Sequence, residues 1–395
     1  MDTDWKQEFI RVHLCPSVAM SEYNGRMPFF RHASLFACTT VALALAASPE
    51  YLTFIGNFGS GIPVFRLDTA TGKLNPLGSM ASTKTPAWLA IAPNGKFVYA
   101  VNEQADGISA FQVDAASGKL TPLNQVATKG KGPCHASVDH TGKALFVANY
   151  GSGSLESFQL QPDGKIGERA SFIQNEGSSA NKQRQAGPHA HSANVSPDNR
   201  FLVLADLGLD KLFVFKIDPA TAKLTPNDPP FTSVKPGSGP RHFVFSPNAR
   251  FGYVIDEMGN TIIAFAWDKQ KGTLKEIQSV STLPDGFTGE NTTAEIYMSH
   301  DGEFLYGSNR GAGTIAVYAA DPNSGMLTKL QDAATGGTTI RSFGIDPTGQ
   351  FVFAGLQEKN SVVEFRRDKT SGKLTLTGEK VDSDTPVCVV FLQAR

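Results

Sequence analysis

Seven short turn phrases of the form Thr/Ser-Gly-Lys-Leu, about fifty residues apart, constrain this chain more than any other feature of it. They sit at residues 71–74, 117–120, 163–166, 221–224, 271–274, 324–327 and 371–374, with Asp-Gly-Lys-Ile, Thr-Ala-Lys-Leu, Lys-Gly-Thr-Leu and Ser-Gly-Met-Leu among the variants. Between consecutive copies runs a second phrase of strand-turn-strand character. It reads APNGKFVYAVNE from Ala92, DHTGKALFVANYG from Asp139, SPDNRFLVLADLG from Ser196, SPNARFGYVIDEMG from Ser246, SHDGEFLYGSNRG from Ser299 and DPTGQFVFAGLQE from Asp346. Two turns per repeat, with apolar and polar residues alternating between them, describe a small antiparallel sheet. Seven copies of one sheet describe an all-β fold, a seven-bladed β-propeller of four-stranded antiparallel blades.

The fifth repeat shows the four strands most clearly: 241–246 as strand A, 251–257 as B, 261–267 as C and 274–280 as D. The first repeat has only B (51–55), C (63–67) and D (73–79), while 386–392 (PVCVVFL) matches strand A with nothing after it. Pairing that last strand with the first three closes the ring and leaves no open sheet edge. No helical stretch of ten or more residues is expected after Ala47.

Charged residues are 18% of the chain, the formal net charge is −1, and no run of Lys or Arg could track a phosphate backbone, so a nucleic-acid partner is not expected. The start reads differently. Arg26, Arg31 and His32 precede an apolar run at 33–47, which ends Ala-Leu-Ala-Ala before Ser48-Pro49, the pattern of a secretory leader. That run is too short for a membrane span, and Met27 would be a more natural leader start than Met1. The expected division is therefore an extension with a leader at 1–47, ending near Ala46/Ala47, and a propeller at 48–395. A periplasmic or secreted location follows, with a cytoplasmic one as the alternative, and no membrane span in the mature chain. Of four cysteines, Cys134 and Cys388 remain after such processing; they are either one disulfide or two buried free thiols.

Strands alternate in direction, so the starts of the A strands, the ends of the B strands and the D-to-A connections share one face of the disc. Aligned on the A-to-B turns, Ala87, Cys134, His191, Arg241, Ala294 and Arg341 form one tier, and Trp88, His135, Ser192, His242, Glu295 and Ser342 the next. The B-strand ends add Asn102-Glu103, Asn149-Tyr150, Asp206, Asp256-Glu257 and Asn309-Arg310, and the insertions at 176–188 and 283–291 overhang the same face. Loops on one rim of a rigid scaffold are the usual place for a site. Arg241, Arg310 and Arg341 suit a planar anion, His135, His189, His191 and His242 can move protons, and Glu103, Glu257 and Glu295 supply carboxylates. Ion pairs that merely satisfy one another around a channel are the structural alternative. His189-Ala190-His191 places two imidazoles on one side of a strand, but no third ligand accompanies them, and no metal is expected. Cys134 and His135, as strand neighbours, should point to opposite faces and form no dyad.

GPHAHSANVSPD at Gly187, GPRHFVFSPN at Gly239, YVIDEMGNTI at Tyr253, AEIYMSHDGEFLYGSNRG at Ala294 and SGKLT at Ser117 and Ser371 together resemble the seven-bladed lactonase family. That family contains propeller-type 6-phosphogluconolactonases and fungal 3-carboxy-cis,cis-muconate lactonizing enzymes. The resemblance covers about residues 51–395 and implies a cofactor-free site built on His191 (or His189), Arg241, Glu257 and Arg310. The expected reaction is hydrolysis of a small anionic or sugar lactone. His191 would act as general base tuned by Glu257, Arg241 would stabilise the oxyanion, and Arg310 and Arg341 would hold the anionic group. His135, His189, His242, Glu295 and Glu103 are expected to contact substrate. Export would favour an unphosphorylated lactone. A muconate cycloisomerase and a non-catalytic secreted binding propeller are the other readings, and a closed ring, needing no partner, is expected to be a monomer.

Overall fold

The structure, a computed structural model, describes residues 50–81 and 83–394; the expected leader lies outside them. Seven four-stranded antiparallel sheets follow one another, each in the order A-B-C-D. In the fifth, the strands are Pro240–Phe245, Phe251–Asp256, Thr261–Asp268 and Thr273–Ser281, within two residues of the expected bounds. The first blade takes its A strand from the far end of the chain: Pro386–Gln393 pairs antiparallel with Tyr51–Asn57 from Tyr51↔Gln393 to Asn57↔Pro386. Among the described residues helix is confined to two single 3-10 turns, Glu103–Ala105 and Gln357–Lys359, and no helix there is long and apolar enough to cross a membrane.

The apolar core is divided among the interfaces between neighbouring blades. Phe146, Leu155 and Ala148 of blade 3 pack with Leu202, Leu204 and Phe215 of blade 4, and equivalent buried clusters fill every other interface, including that between blades 7 and 1. The recurrent turn phrase closes these interfaces. Gly164, with φ +85°, lies flat on the ring of Phe97 in the preceding blade, and its carbonyl accepts a hydrogen bond from Tyr99 Oη at 3.1 Å. Gly372 does the same with Phe304 and Tyr306. Blade 4 carries Ala222 at this turn position, and the strand start in its neighbouring blade is the small Ala144 rather than a phenylalanine; the two share one buried cluster. The repeat phrase is thus a blade-to-blade latch as well as a hairpin turn.

Every A strand carries a β-bulge near its start. Ala87, Cys134, His191, Arg241, Arg341 and Val387 are each the extra residue opposite strand B, and Ala294 with Glu295 together face the single residue Ser308. A bulge re-aims a side chain that strict alternation would turn away. Consecutive residues such as Arg241 and His242 can then both serve the channel, at successive depths.

Two outcomes follow from this architecture. Removing the last ten residues takes away Val387, Val389 and Leu392, three buried aliphatic side chains worth about 1.5–3 kcal/mol each. That loss is comparable with the whole stability of a domain, about 5–15 kcal/mol. The truncated protein is expected to be insoluble or to lack a cooperative thermal transition by circular dichroism, and a soluble, cooperatively melting product would contradict ring closure. Gly164→Ala, which forces a Cβ into the Phe97 ring at a left-handed φ, is expected to lower stability by roughly 2–5 kcal/mol in urea denaturation.

Candidate active site

The last residue of most B strands is a buried Asn or Asp that staples the loops of this face. Asn102 Nδ2 donates to the Lys84 carbonyl and Thr83 Oγ1, both at 2.7 Å; Asn309 Nδ2 donates to the Thr282 carbonyl at 2.8 Å. Asp206 accepts the His189 and Gly208 amides. These residues are structural. The residues that follow them, Glu103, Tyr150, Glu257 and, on the longer sixth B strand, Arg310, have their backbones fixed by the staples and face the funnel.

There they meet the upper tier of the A strands around a cavity of about 370 Å³, lined by Glu103, Cys134, Tyr150, Arg184, His191, Glu257, Thr292, Arg310 and Arg341. Its chemistry centres on one carboxylate shared by three arginines. Arg184 Nη2 donates to Glu257 Oε1 at 2.6 Å, Arg310 Nη2 to Oε2 at 2.9 Å and Arg241 Nε to Oε2 at 3.2 Å. Burial opposes ionisation of Glu257, but Arg310, Arg241 and Arg184 outweigh it and hold the carboxyl down at about 2. Arg241 is buried, and burial with the nearby Arg310 and Arg341 pushes it down to about 9, still charged at neutral pH. Its Nη1 donates to the Ala294 carbonyl at 2.7 Å, which leaves Nη2 without a partner among the described residues. Arg310 donates from Nη2 to the Thr293 carbonyl as well, and its buried Nε has no partner among the described residues. Arg341 rests over the Phe58 ring, 5.1 Å from its centroid, and makes no ion pair among the described residues.

His191 is buried on the same wall, its Nδ1 3.9 Å from Cys134 Sγ. Burial first, then Arg241, His242 and Arg341, holds it well below the ordinary imidazole range, so it is neutral at pH 7. Cys134 is a free thiol, as is Cys388, and burial pushes both up, away from thiolate. Cys134 approaches the next blade's His191, and no hydrogen bond joins it to its strand neighbour His135.

The lower tier forms a separate layer. Trp88 stacks on His135 at 4.5 Å and meets His242 edge-on at 5.1 Å; His242 Nδ1 lies 2.7 Å from Glu295 Oε1, and Ser342 Oγ donates to Glu295 Oε2 at 2.9 Å. Burial raises Glu295 to about 7 and keeps His135 and His242 well below their usual range. The His191 and His242 rings are 5.1 Å apart, which links the two layers.

Of the residues expected at the site, Glu103, His191, Glu257, Arg310 and Arg341 line the cavity, and Arg241 stands directly behind Glu257. His135, His242 and Glu295 lie off its wall, one step deeper, because the bulge sends each second residue down the channel. His189 stacks on Tyr150 at 4.4 Å, with its Nδ1 2.9 Å from the Tyr150 carbonyl. The expected pairing of Glu257 with His191 is absent: the carboxylate is occupied by arginines. Arg184, not foreseen, comes from the overhanging 176–188 insertion, which buried Gln185 anchors through the Leu207 carbonyl. Its signal lay in being a lone arginine on the funnel-side loop. Among the described residues no group of three or more His, Cys, Asp or Glu side chains could hold a metal ion.

The family model described as a lactonase, seven-bladed β-propeller, matches residues 51–391. A 6-phosphogluconolactonase of Bacillus subtilis is 36% identical over 198 residues, 50% of this chain and 55% of that one. A 6-phosphogluconolactonase of Formosa agariphila is 37% identical over 204 residues, 50% of this chain and 56% of that one. The chain thus aligns with about half the length of these curated relatives. The solved structure of a periplasmic gluconolactonase of Pseudomonas aeruginosa superposes with a TM-score of 0.83 at 32% identity, over 88% of this chain and 100% of the other.

Glu257→Gln would leave three arginines facing a neutral amide. Because the folded carboxyl sits near 2 against an ordinary 4.5, its ionised form contributes stability above pH 4.5 that is lost as pH falls towards 2, on the order of 3 kcal/mol. Urea denaturation should find the variant about 3–5 kcal/mol less stable than wild type at pH 7, with the gap narrowing below pH 4.5. Equal stability at pH 7 would refute the cluster's structural role.

Proposed function

The chain belongs to the seven-bladed β-propeller lactonase family, and on that footing we propose that it hydrolyses a sugar lactone of the glucono-1,5-lactone type. The observation that carries this reading is the funnel cavity itself, where cations outnumber the carboxylates. Arg184, Arg241, Arg310 and Arg341 stand against Glu103 and Glu257. Such a site favours an anion, either carried by the substrate or formed in the reaction. Water adds to the ring carbonyl, a group on the cavity wall takes its proton, and negative charge develops on the carbonyl oxygen. Arg310, on the cavity wall, and Arg241 behind Glu257 supply the positive charge that stabilises that oxygen. Arg341 holds the far side of the substrate, hydroxyl or phosphate.

We further propose export to the periplasm, supported by the leader pattern before Ser48 and by the likeness to a periplasmic gluconolactonase. An exported enzyme would meet an unphosphorylated lactone.

The test is a pH-stat assay of the full chain on glucono-1,5-lactone and its 6-phosphate in parallel. Acid release above the spontaneous rate is expected, and Arg310→Ala, which leaves Glu257 bonded to Arg184 and Arg241, should lose about 10²–10³-fold in turnover. A wild-type protein inert on both lactones would refute the reading, and an unimpaired Arg310→Ala would remove that residue from it.

A further inference from the structure

Resting on the lactonase reading, we infer that Glu103 is the base that takes the proton of the attacking water, and that His191 works beside it as a neutral hydrogen-bond donor. The sequence pointed to His191 as the base; the geometry points elsewhere. Of the three glutamates expected at the site, two are already engaged. Glu257 accepts from three arginines, and Glu295 is sealed in the lower layer with His242 and Ser342. Glu103 is half-buried, lines the cavity with His191 and Arg341, and its carboxylate has no hydrogen-bond partner among the described residues. Its backbone is nonetheless held, since its amide donates to the Thr85 carbonyl at 3.2 Å and its neighbour Asn102 is the loop staple. A carboxylate fixed at its root and unengaged at its tip is placed to act on a bound water.

The other groups facing the cavity cannot take this part. Arg341, Arg184 and Arg310, with Arg241 behind Glu257, carry protons throughout the working range. Glu257 is held near 2, the Cys134 thiol is pushed up by burial, and the Tyr150 hydroxyl sits 3.3 Å from Arg184 Nη2. His191 could accept a proton only by becoming one more cation among arginines. Burial raises Glu103 from its ordinary value, with Arg341 and Arg241 pulling it back, so it is a stronger base than a solvated glutamate. A carboxylate base beside a neutral imidazole whose N–H polarises the substrate is a workable division of labour.

The step balances. The water oxygen bonds to the carbonyl carbon as its proton passes to Glu103, giving a tetrahedral oxyanion. The ring C–O bond then breaks, and the departing oxygen takes the proton back from Glu103. The carboxylic acid product ionises into solvent, and Glu103 ends as it began.

The test is the pH dependence of kcat/KM for the full chain on glucono-1,5-lactone, in wild type, Glu103→Gln, Glu103→Asp and His191→Gln. A base works only when unprotonated, so wild-type activity should fall as pH falls through the Glu103 pKa. Glu103→Gln should lose about 10²–10⁴-fold and the acid limb with it. His191→Gln, which retains an N–H, should be slower with the limb intact. Glu103→Asp, with its carboxylate drawn back, should be slower with the limb shifted. The assignment is overturned if Glu103→Gln turns over at the wild-type rate, or if His191→Gln rather than Glu103→Gln loses the limb. It is also overturned by an unshifted limb at full rate in Glu103→Asp, even where Glu103→Gln does not fold. Wild type inert on the lactone would sink the lactonase reading itself, an outcome distinct from an active enzyme indifferent to Glu103.

Discussion

The pairing of Tyr51–Asn57 with Pro386–Gln393 is the interaction on which everything else rests. The blades bury their apolar faces on each other and share no central core, so each is stable only with a neighbour on both sides. An open ring would present two bare faces and an unpaired sheet edge. Closure also sets the chemistry, because the cavity wall is drawn from six blades: Glu103 from the second, Cys134 from the third, His191 from the fourth, Glu257 from the fifth, Arg310 from the sixth and Arg341 from the seventh. Side chains more than two hundred residues apart keep fixed positions only while the ring is shut.

Rigidity of that kind lets the protein hold like charges close together. Arg184, Arg241 and Arg310 converge on one carboxylate, and removing it would leave Arg241 and Arg310 uncompensated away from solvent. The bulge at the head of each A strand is what makes room for them. It turns Arg241 towards the upper cavity and leaves His242 in the layer beneath, so that a charged tier and a neutral, aromatic one lie back to back. The lower tier of Trp88, His135 and His242 makes a desolvated floor on which the field of the arginines is weakly screened.

Blade number, strand order, closure and the membership of both tiers were legible from the amino-acid sequence, because each follows from a period and an alignment on turns. The bulges were not. A strand read with strict alternation separates Cys134 from His135 by face, whereas the extra residue separates them by depth, and the difference moved His135, His242 and Glu295 off the cavity wall. Arg184 could be noticed as a loop arginine but not placed, since an irregular loop carries no period from which to position a side chain. The reciprocal sizes at Ala144 and Ala222 were visible as departures from the repeat, but only the packing between blades gives them a meaning. The partnership of Glu257 with arginines rather than with His191 depends on distances that adjacency in a list of funnel residues does not supply.

The arginines also decide which proton transfer the site can bear. If His191 took the proton from water, the buried cavity would acquire an imidazolium beside the guanidinium groups at the same moment as an oxyanion formed, and two new charges would have to be accommodated. If Glu103 takes it, a carboxylate is neutralised as an oxyanion appears, so the negative charge moves across the cavity without any change in its total. The surplus of positive over negative charge is then the same before and during the reaction, and the arginines that favour ionised Glu103 at rest are the ones that receive the oxyanion. A site with fixed cations and one mobile negative charge needs little reorganisation in its transition state, which is the condition under which preorganised donors are most effective. Burial is the larger cause both of the depressed pKa of His191 and of the raised one of Glu103, and the arginines pull both groups down.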